Sequence, residues 1–409
     1  MWFYRQIQRR YPLQPRLLPA AAFFLLAAVL SCQSAAASET EEDKNAAFTA
    51  IITSDLHYTD QQASGLVIPC MERIEEITDA LVAQVIDLHP DVFIMTGDNT
   101  NSGAVSSEKA LARKLSRITD AGIPVVLTTG NHDFNSSAPE DFRQNFQGLC
   151  EVLETDPSSL SYVTQIGPVV LFAMDDSSLT LGREGRFSPG TIAWLEEMLE
   201  KYRECPVFFL THHNVILGKE DSSSGSYHIQ NPELLPLLLK KQVQLILSGH
   251  LHAQIITEEK GLHEIISSMP VSGNHRFGML QIRSGKCIYQ TQELDFETYG
   301  GGELARQVEE LDAGYGDYYR DAVAVLIENS GYPEAMRRRM LELLKKIVVS
   351  YTDGTVFEHK KEILSDPAFD PLVEVLWDAN YGPWIRSSVE GAKISSSELT
   401  FDLSMEKEF

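Results

Sequence analysis

The chain is short of cysteine, of cationic side chains and of long apolar runs, and each shortage excludes something. Five cysteines occur in 409 residues, none in a Cys-x-x-Cys spacing, and a chain of this length needs no disulfide staples to build a core. Cys70, Cys150, Cys205 and Cys287 form an even set, which leaves a disulfide and isolated buried thiols both open. Lys and Arg number 34 against 58 Asp and Glu, a formal net charge of −24. So acidic a surface repels nucleic-acid phosphates and anionic membranes. No polymeric nucleic acid is expected as a partner, and an anionic substrate must be drawn in locally, as metal cations would do. The apolar run Leu17 to Leu30, interrupted by Pro19, is shorter than the roughly 20 residues that span a bilayer. No internal repeat or heptad run is visible.

Four arginines, Arg5, Arg9, Arg10 and Arg16, precede that run, which gives residues 1–32 the form of a signal peptide. Val29-Leu30-Ser31-Cys32 resembles a bacterial lipoprotein cleavage box with Cys32 as the lipidated residue, although Leu30 is large for it; Ala35-Ala36-Ala37 is an alternative small-residue cleavage site. The expectation is export, as a cell-envelope lipoprotein held to the membrane by an N-terminal lipid, or otherwise as a secreted protein. Removing residues 1–32 takes away four Arg and no acid, so the charge becomes −28. Residues 33–46 are small, polar and acidic and read as a flexible tether.

From Phe48 onward, short apolar runs alternate with helical periods. Strands are expected at Phe48–Thr53, Asp91–Thr96, Pro124–Thr129, Val169–Met174, Val207–Leu210 and Val243–Leu247, and helices at Cys70–Leu88, Ser107–Ala121 and from Ser188-Pro189. Several β-rich segments follow between Gln254 and Thr291. After Gly300-Gly301-Gly302 the pattern turns helical: Glu303–Leu311, Tyr318–Glu328, Ala335–Val349, Phe357–Leu364 and Leu372–Trp377. The resulting division is an α/β domain over 47–299 and a helical domain over 303–409. Trp377, Tyr381 and Trp384 in that tail read as packing residues.

Six of the 11 histidines fall in short motifs, each just after an expected strand. They are Asp55-Leu56-His57, Gly97-Asp98, Gly130-Asn131-His132-Asp133, His212-His213 and His250-Leu251-His252. Strand carboxyl ends are where open α/β sheets collect ligands. Residues i and i+2 of an extended segment point the same way, so Asp55 with His57, and His250 with His252, can each address one site. Glycines before Asp98, Asn131 and His250 permit tight turns. Oxygen and nitrogen donors without a thiolate suit manganese, iron or zinc.

Asp-x-His, Gly-Asp, Gly-Asn-His-Asp, a lone His and Gly-His-x-His, in this order, resemble the calcineurin-like metallophosphoesterase superfamily over residues 46–297. The resemblance implies two packed mixed β-sheets flanked by helices, with the small helical C-terminal domain beside them. It implies two metal ions, one held by Asp55, His57, Asp98 and His252, the other by Asp98, Asn131, His212 and His250, with Asp98 bridging. His132 would contact phosphate oxygens or protonate the leaving group, oriented by Asp133, and His213 would support the ligands or face substrate. Activity would fall at acid pH as the imidazoles protonate.

Departures narrow the resemblance. Asn101-Ser102-Gly103 stands where protein phosphatases of this fold carry Asp three residues after the bridging Asp, then Arg-Gly. Purple acid phosphatases place a metal-binding Tyr at the Asn101 position, and large 5′-nucleotidases have a bigger C-terminal domain. What remains is similar to bacterial class III cyclic-nucleotide phosphodiesterases, with Asn101 and His213-Asn214 as mild departures. The expectation is a phosphodiesterase acting on small phosphate esters such as cyclic nucleotides. A broad phosphomonoesterase and a non-catalytic envelope binding module are the alternatives. Loops Tyr58–Pro69, Phe134–Ser161, Asp175–Arg186 and Val215–Asn231 would shape the pocket, with Arg183, Tyr227 and His228 read as ordinary loop residues.

Overall fold

Strand β1 (Phe48–Thr53) shows how the core is built. Phe48, Ala50 and Ile52 point into one apolar cluster and Ile51 to the opposite face, yet both faces are buried. A strand covered on both sides reads as an unbroken apolar run, which is why it stood out in the sequence. In the computed structural model the described residues are 48–403, apart from 61–67, 183, 217–227, 274, 313–314 and 379–380. The expected signal peptide, the tether, Arg183 and Tyr227 lie outside them.

The α/β part then runs through α1 (Ile74–Leu88), β2 (Val92–Thr96), α2 (Val105–Asp120), β3 (Val125–Thr128), α3 (Pro139–Phe146), β4 (Glu154–Thr155), β5 (Tyr162–Ile166), β6 (Val169–Ala173), α4 (Pro189–Lys201), β7 (Val207–Leu210), α5 (Leu234–Lys240), β8 (Leu245–Ser248), β9 (Ile255–Glu259), β10 (Leu262–Ile266), β11 (Arg276–Arg283) and β12 (Lys286–Glu293). Helices α6 (Phe296–Tyr299), α7 (Gly302–Asp312), α8 (Tyr315–Glu328), α9 (Glu334–Asp353), α10 (Val356–Ser365), α11 (Phe369–Val375) and α12 (Tyr381–Gly391) follow, and β13 (Glu398–Asp402) comes last.

Among the described residues the strands form two mixed sheets, ordered β13-β12-β11-β1-β2-β3 and β4-β5-β6-β7-β8-β10-β9. Strands β1, β2 and β3 are parallel, joined by crossover helices α1 and α2; β6, β7, β8 and β10 are parallel in the other sheet. The sheets pack face to face through Phe48, Ile94, Leu171, Phe208, Leu247 and Tyr289. The next residue along, Phe209, lies on the outer face with Phe172 and Ile246, and there meets Leu195 and Leu199 of α4 and Leu234 and Leu238 of α5. Both sheets aim the carboxyl ends of their parallel strands toward the motif residues.

Differences from the sequence reading are local. Residues Pro69–Arg73 form a 3-10 turn ahead of α1 instead of its first turns, and Arg73 (φ −120°, ψ 21°) leaves helical geometry between the two. Helices α3 and α5 arise inside stretches read as loop and connection. In the tail, β13 pairs antiparallel with β12 (Gln290↔Glu398, Lys286↔Asp402) and sets Leu399 and Phe401 against the intersheet core, so this segment is not wholly helical. Tyr381 is buried and Trp384 packs edge to face on Tyr351, but Trp377 is 50% exposed and so is not the packing residue expected. Cys70, Cys150, Cys205 and Cys287 are all free thiols. No helix among the described residues is long and apolar enough to cross a membrane.

Candidate metal centre

Five of the motif residues share a backbone feature that spacing alone does not reveal. Asp55 (φ 53°), His57 (φ 49°), Asp98 (φ 45°), His250 (φ 72°) and His252 (φ 54°) all lie in the left-handed region. Such conformations are uncommon for residues with a Cβ and persist where the surroundings over-determine them. The two pairs therefore do not reach the site by extended i, i+2 alternation, as the sequence suggested. Each pair is a turn whose two left-handed residues curl their side chains to one side. The turns are tied together by Asp55 N–H donating to Gly97 O (3.0 Å), His57 N–H to Asp98 O (2.9 Å) and His250 N–H to Asp55 Oδ2 (2.9 Å). Gly97 (φ +92°) permits the closest approach: a Cβ there would sit 2.5 Å from His212 Nδ1.

The side chains converge as two groups sharing Asp98. Ligand atoms of Asp55, His57, Asp98 and His252 lie within 4.8 Å of one another, and so do those of Asp98, His212 and His250. In the first group, His57 Nε2 is 3.0 Å from His252 Nε2 and 3.6 Å from Asp98 Oδ2, while His252 Nε2 is 3.3 Å from Asp55 Oδ1. In the second, His212 Nε2 is 3.4 Å from Asp98 Oδ2, 3.1 Å from Asn131 Oδ1 and 3.1 Å from His250 Nδ1. All seven are buried.

A cation fits this donor set. His212 donates from Nδ1–H to Thr96 O (3.0 Å), so in its neutral form Nε2 offers a lone pair. That lone pair meets the Asn131 carbonyl oxygen and an Asp98 oxygen, acceptors that only a proton or a cation between them reconciles. Asp98 Oδ2 and Asp55 Oδ1 are buried without a hydrogen-bond donor, a costly arrangement for a carboxylate unless a cation binds it. Fixing an imidazole through its other nitrogen on a backbone carbonyl is the usual second contact of a metal-binding histidine. Asp55, His57, Asp98 and His252 would hold one ion; Asp98, Asn131, His212 and His250 would hold the other.

The protonation states are unequal. Burial opposes ionisation of Asp98, but His212 and His132 beside it hold it well below the usual carboxylate range. Burial, with His132 nearby, drives His57 well below an ordinary imidazole, and burial with His213 does the same to His250. His212 goes the other way: against burial, Asp98 lifts it to about 10.

His132 sits edge to face on His57, ring centroids 4.6 Å apart. Its backbone N–H donates to Asp98 Oδ1 (2.7 Å), and its Nδ1 is bonded to Asn101 O (2.7 Å), leaving Nε2 as the other nitrogen. The expected orienting role of Asp133 is thus taken by the Asn101 carbonyl. The Asp133 carboxylate instead accepts from Asn99 Nδ2 (2.9 Å), Thr100 N (2.8 Å), Thr100 Oγ1 (2.9 Å) and Gly130 N (2.9 Å), joining the Gly-Asp and Gly-Asn-His-Asp turns. Burial and the nearby Asp98 push its carboxyl up to about 7.

Sequence reasoning missed Asp176. This buried carboxylate accepts from Thr211 Oγ1 (2.7 Å), His212 N (3.0 Å) and His213 N (2.8 Å), and from His213 Nδ1 (3.0 Å). It fixes the His212-His213 turn, and its position three residues past strand β6 was the available signal. His213 itself leans on His250, ring centroids 4.3 Å apart. His228 stands apart from the cluster in a backbone bridge to Asn214.

Two mixed sheets delivering an oxygen-and-nitrogen cluster from the carboxyl ends of their parallel strands define a metal-dependent phosphoesterase scaffold. The model of the Calcineurin-like phosphoesterase family matches residues 48–254, just over half of the chain, and the protein belongs to that family. The glycerophosphodiester phosphodiesterase GpdQ of Enterobacter lignolyticus (strain SCF1) is 25% identical over 190 residues, 45% of this chain and 63% of that protein. A probable cyclic nucleotide phosphodiesterase of Vesicomyosocius okutanii subsp. Calyptogena okutanii (strain HA) is 24% identical over 174 residues, 42% of this chain and 66% of that protein. The chain thus spans less than two thirds of the length of these relatives. Among solved structures, a dimetal phosphatase from Danio rerio shows a likeness of fold at TM-score 0.48 and 16% identity, covering 61% of this chain and 98% of that one.

Proposed function

We propose that the protein is an exported dinuclear-metal phosphodiesterase acting on small phosphate esters, cyclic nucleotides foremost. The observation that carries the reading is the pair of donor-free buried oxygens, Asp55 Oδ1 and Asp98 Oδ2, facing the imidazoles of His57, His212 and His252. Bound manganese, iron or zinc ions supply an activated water and neutralise charge on the transferring phosphoryl group. The chain's own residues do the rest. Asp98 and Asp55 set the local charge, Thr96 and Asn101 carbonyls fix ring orientation, and His132 would contact phosphate or, when its ring is protonated, give the Nε2 proton to a departing alkoxide. Such an acid matters most for diester or alkyl ester substrates, whose leaving groups are poor alkoxides. The relatives named above, described as acting on glycerophosphodiesters or cyclic nucleotides, support a diester substrate. Export rests on the arginines and apolar run of residues 1–30, and anchorage on Cys32 as lipid acceptor.

The test is hydrolysis of bis(p-nitrophenyl) phosphate against p-nitrophenyl phosphate by metal-stripped protein reloaded with Mn²⁺, Fe²⁺ or Zn²⁺. Metal-dependent preference for the diester, extending to cyclic nucleotides, is the expected result. Preference for the monoester would identify a scavenging phosphatase, and no turnover with any metal would leave a binding module.

A further inference from the structure

A second ligand cluster lies away from the dinuclear centre, where the helical tail meets the α/β part. Cys70, His275 and Asp312 bring a sulfur, a nitrogen and a carboxylate oxygen within 4.8 Å of one another. Cys70 is buried in the 3-10 turn before α1, His275 is buried just ahead of β11, and Asp312 ends α7 with its side chain 28% exposed. Sγ of Cys70 is 3.2 Å from Asp312 Oδ1, and His275 Nε2 is 2.9 Å from each oxygen of Asp312.

Three features set this cluster apart from an ordinary hydrogen-bonded contact. His275 has φ 49°, another left-handed residue with a Cβ, held by its N–H donating to Ser272 O (3.0 Å). Its Nδ1–H donates to Pro270 O (2.9 Å), so a neutral ring turns the Nε2 lone pair toward two carboxylate oxygens. A cation or an added proton must stand between them, and the backbone-fixed Nδ1 is the second contact expected of a metal-binding imidazole. Finally, a thiol at this place brings a soft donor that the dinuclear centre lacks.

We propose that Cys70, His275 and Asp312 form a third metal site, of one thiolate, one imidazole and one carboxylate, suited to Zn²⁺ and pinning α7 to the α/β part. Three protein ligands of these types are a recurrent zinc set, with a fourth position open to water. Burial and Asp312 push the Cys70 thiol up, so the thiolate exists there when a cation displaces its proton. The residues are 205 and 37 positions apart in order along the chain, so a bound ion closes a long loop and adds its binding free energy to folding. This site stands independently of the dinuclear reading.

Cobalt(II) tests it, because thiolate ligation gives a near-ultraviolet charge-transfer band that oxygen and nitrogen ligands do not. Full-length protein loaded with Co²⁺ should show that band, Cys70→Ser and Asp312→Asn should each lose it, and Asp98→Ala should keep it. Asp312→Asn, at a partly exposed position, serves if Cys70→Ser does not fold. Zn²⁺ should also raise the Tm of Asp98→Ala protein and leave that of the Asp98→Ala, Asp312→Asn double variant unmoved. Absence of the band in cobalt-loaded wild-type protein, or its survival in Asp312→Asn, overturns the proposal and leaves the cluster a hydrogen-bonded tie.

Discussion

Loading metal into stripped protein should release a proton from His212 and none from His57 or His250. Burial leaves His57 and His250 neutral near pH 7, whereas Asp98 holds His212 protonated up to about 10. The incoming ion must displace that proton, so affinity for the half-site containing His212 should climb about tenfold per pH unit between neutrality and pH 9. With a pKa of about 10, the displaced proton weakens binding at pH 7 by about 4 kcal/mol, or about 10³-fold. The same shift governs metal-free stability. A folded pKa raised above the ordinary 6.5 of histidine contributes stability fully below pH 6.5 that is lost as pH rises toward 10. Isothermal titration with Mn²⁺ in buffers of differing ionisation enthalpy counts the protons. His212→Asn should lower the count by about one, and His57→Asn should leave it unchanged. Affinity that is flat from pH 6.5 to 8.5, about two units in which one proton should register, would refute the reasoning, as would loss of the same proton in His57→Asn.

Gly97→Ala places a methyl 2.5 Å from His212 Nδ1 on a backbone with φ +92°; displacing the ring should cost about 10²-fold in kcat/KM, read by steady-state diester hydrolysis alongside manganese content. His132→Ala should lower kcat by about 10²- to 10⁴-fold while leaving metal content, by elemental analysis, unchanged. Asp133→Ala strands the donors of Asn99, Thr100 and Gly130 and should destabilise by about 3 kcal/mol in denaturant unfolding; a loss under about 0.5 kcal/mol would contradict its tying role.

The α/β skeleton was legible because its strands are buried on both faces and its crossover helices carry apolar stripes. Strands β1 and β2 fall on apolar runs, α4 starts at the Ser188-Pro189 cap, and α1 follows its helical spacing from Ile74, four residues later than expected. Less was legible where identity depends on partners far away. Pro139, Glu140 and Asp141 give α3 a helix-start pattern, but its single Phe142–Phe146 pair is too short a period to stand out from a loop, and Leu399 and Phe401 become a strand because β12 offers them an open edge. At the centre, ligand types and order were readable, but how they are presented was not. Left-handed φ at Asp55 and His57 is imposed by their hydrogen bonds to Gly97 and Asp98 from another strand end. Asp133 followed its motif into the site yet bonds the neighbouring turn and not His132, since the buried amides of Asn99, Thr100 and Gly130 lie nearer to hand. Asp176 went unnoticed because it lies outside every motif.

In the proposed function, phosphodiester hydrolysis depends on a dinuclear centre made by Asp98, which both ligand groups share. Manganese per chain and bis(p-nitrophenyl) phosphate turnover, measured on the same reloaded samples of wild type and Asp98→Ala, test it most directly. Asp98→Ala should remain folded, lose the manganese held by wild type and lose turnover with it. Turnover by Asp98→Ala, or by wild-type protein stripped of metal, would contradict this dependence.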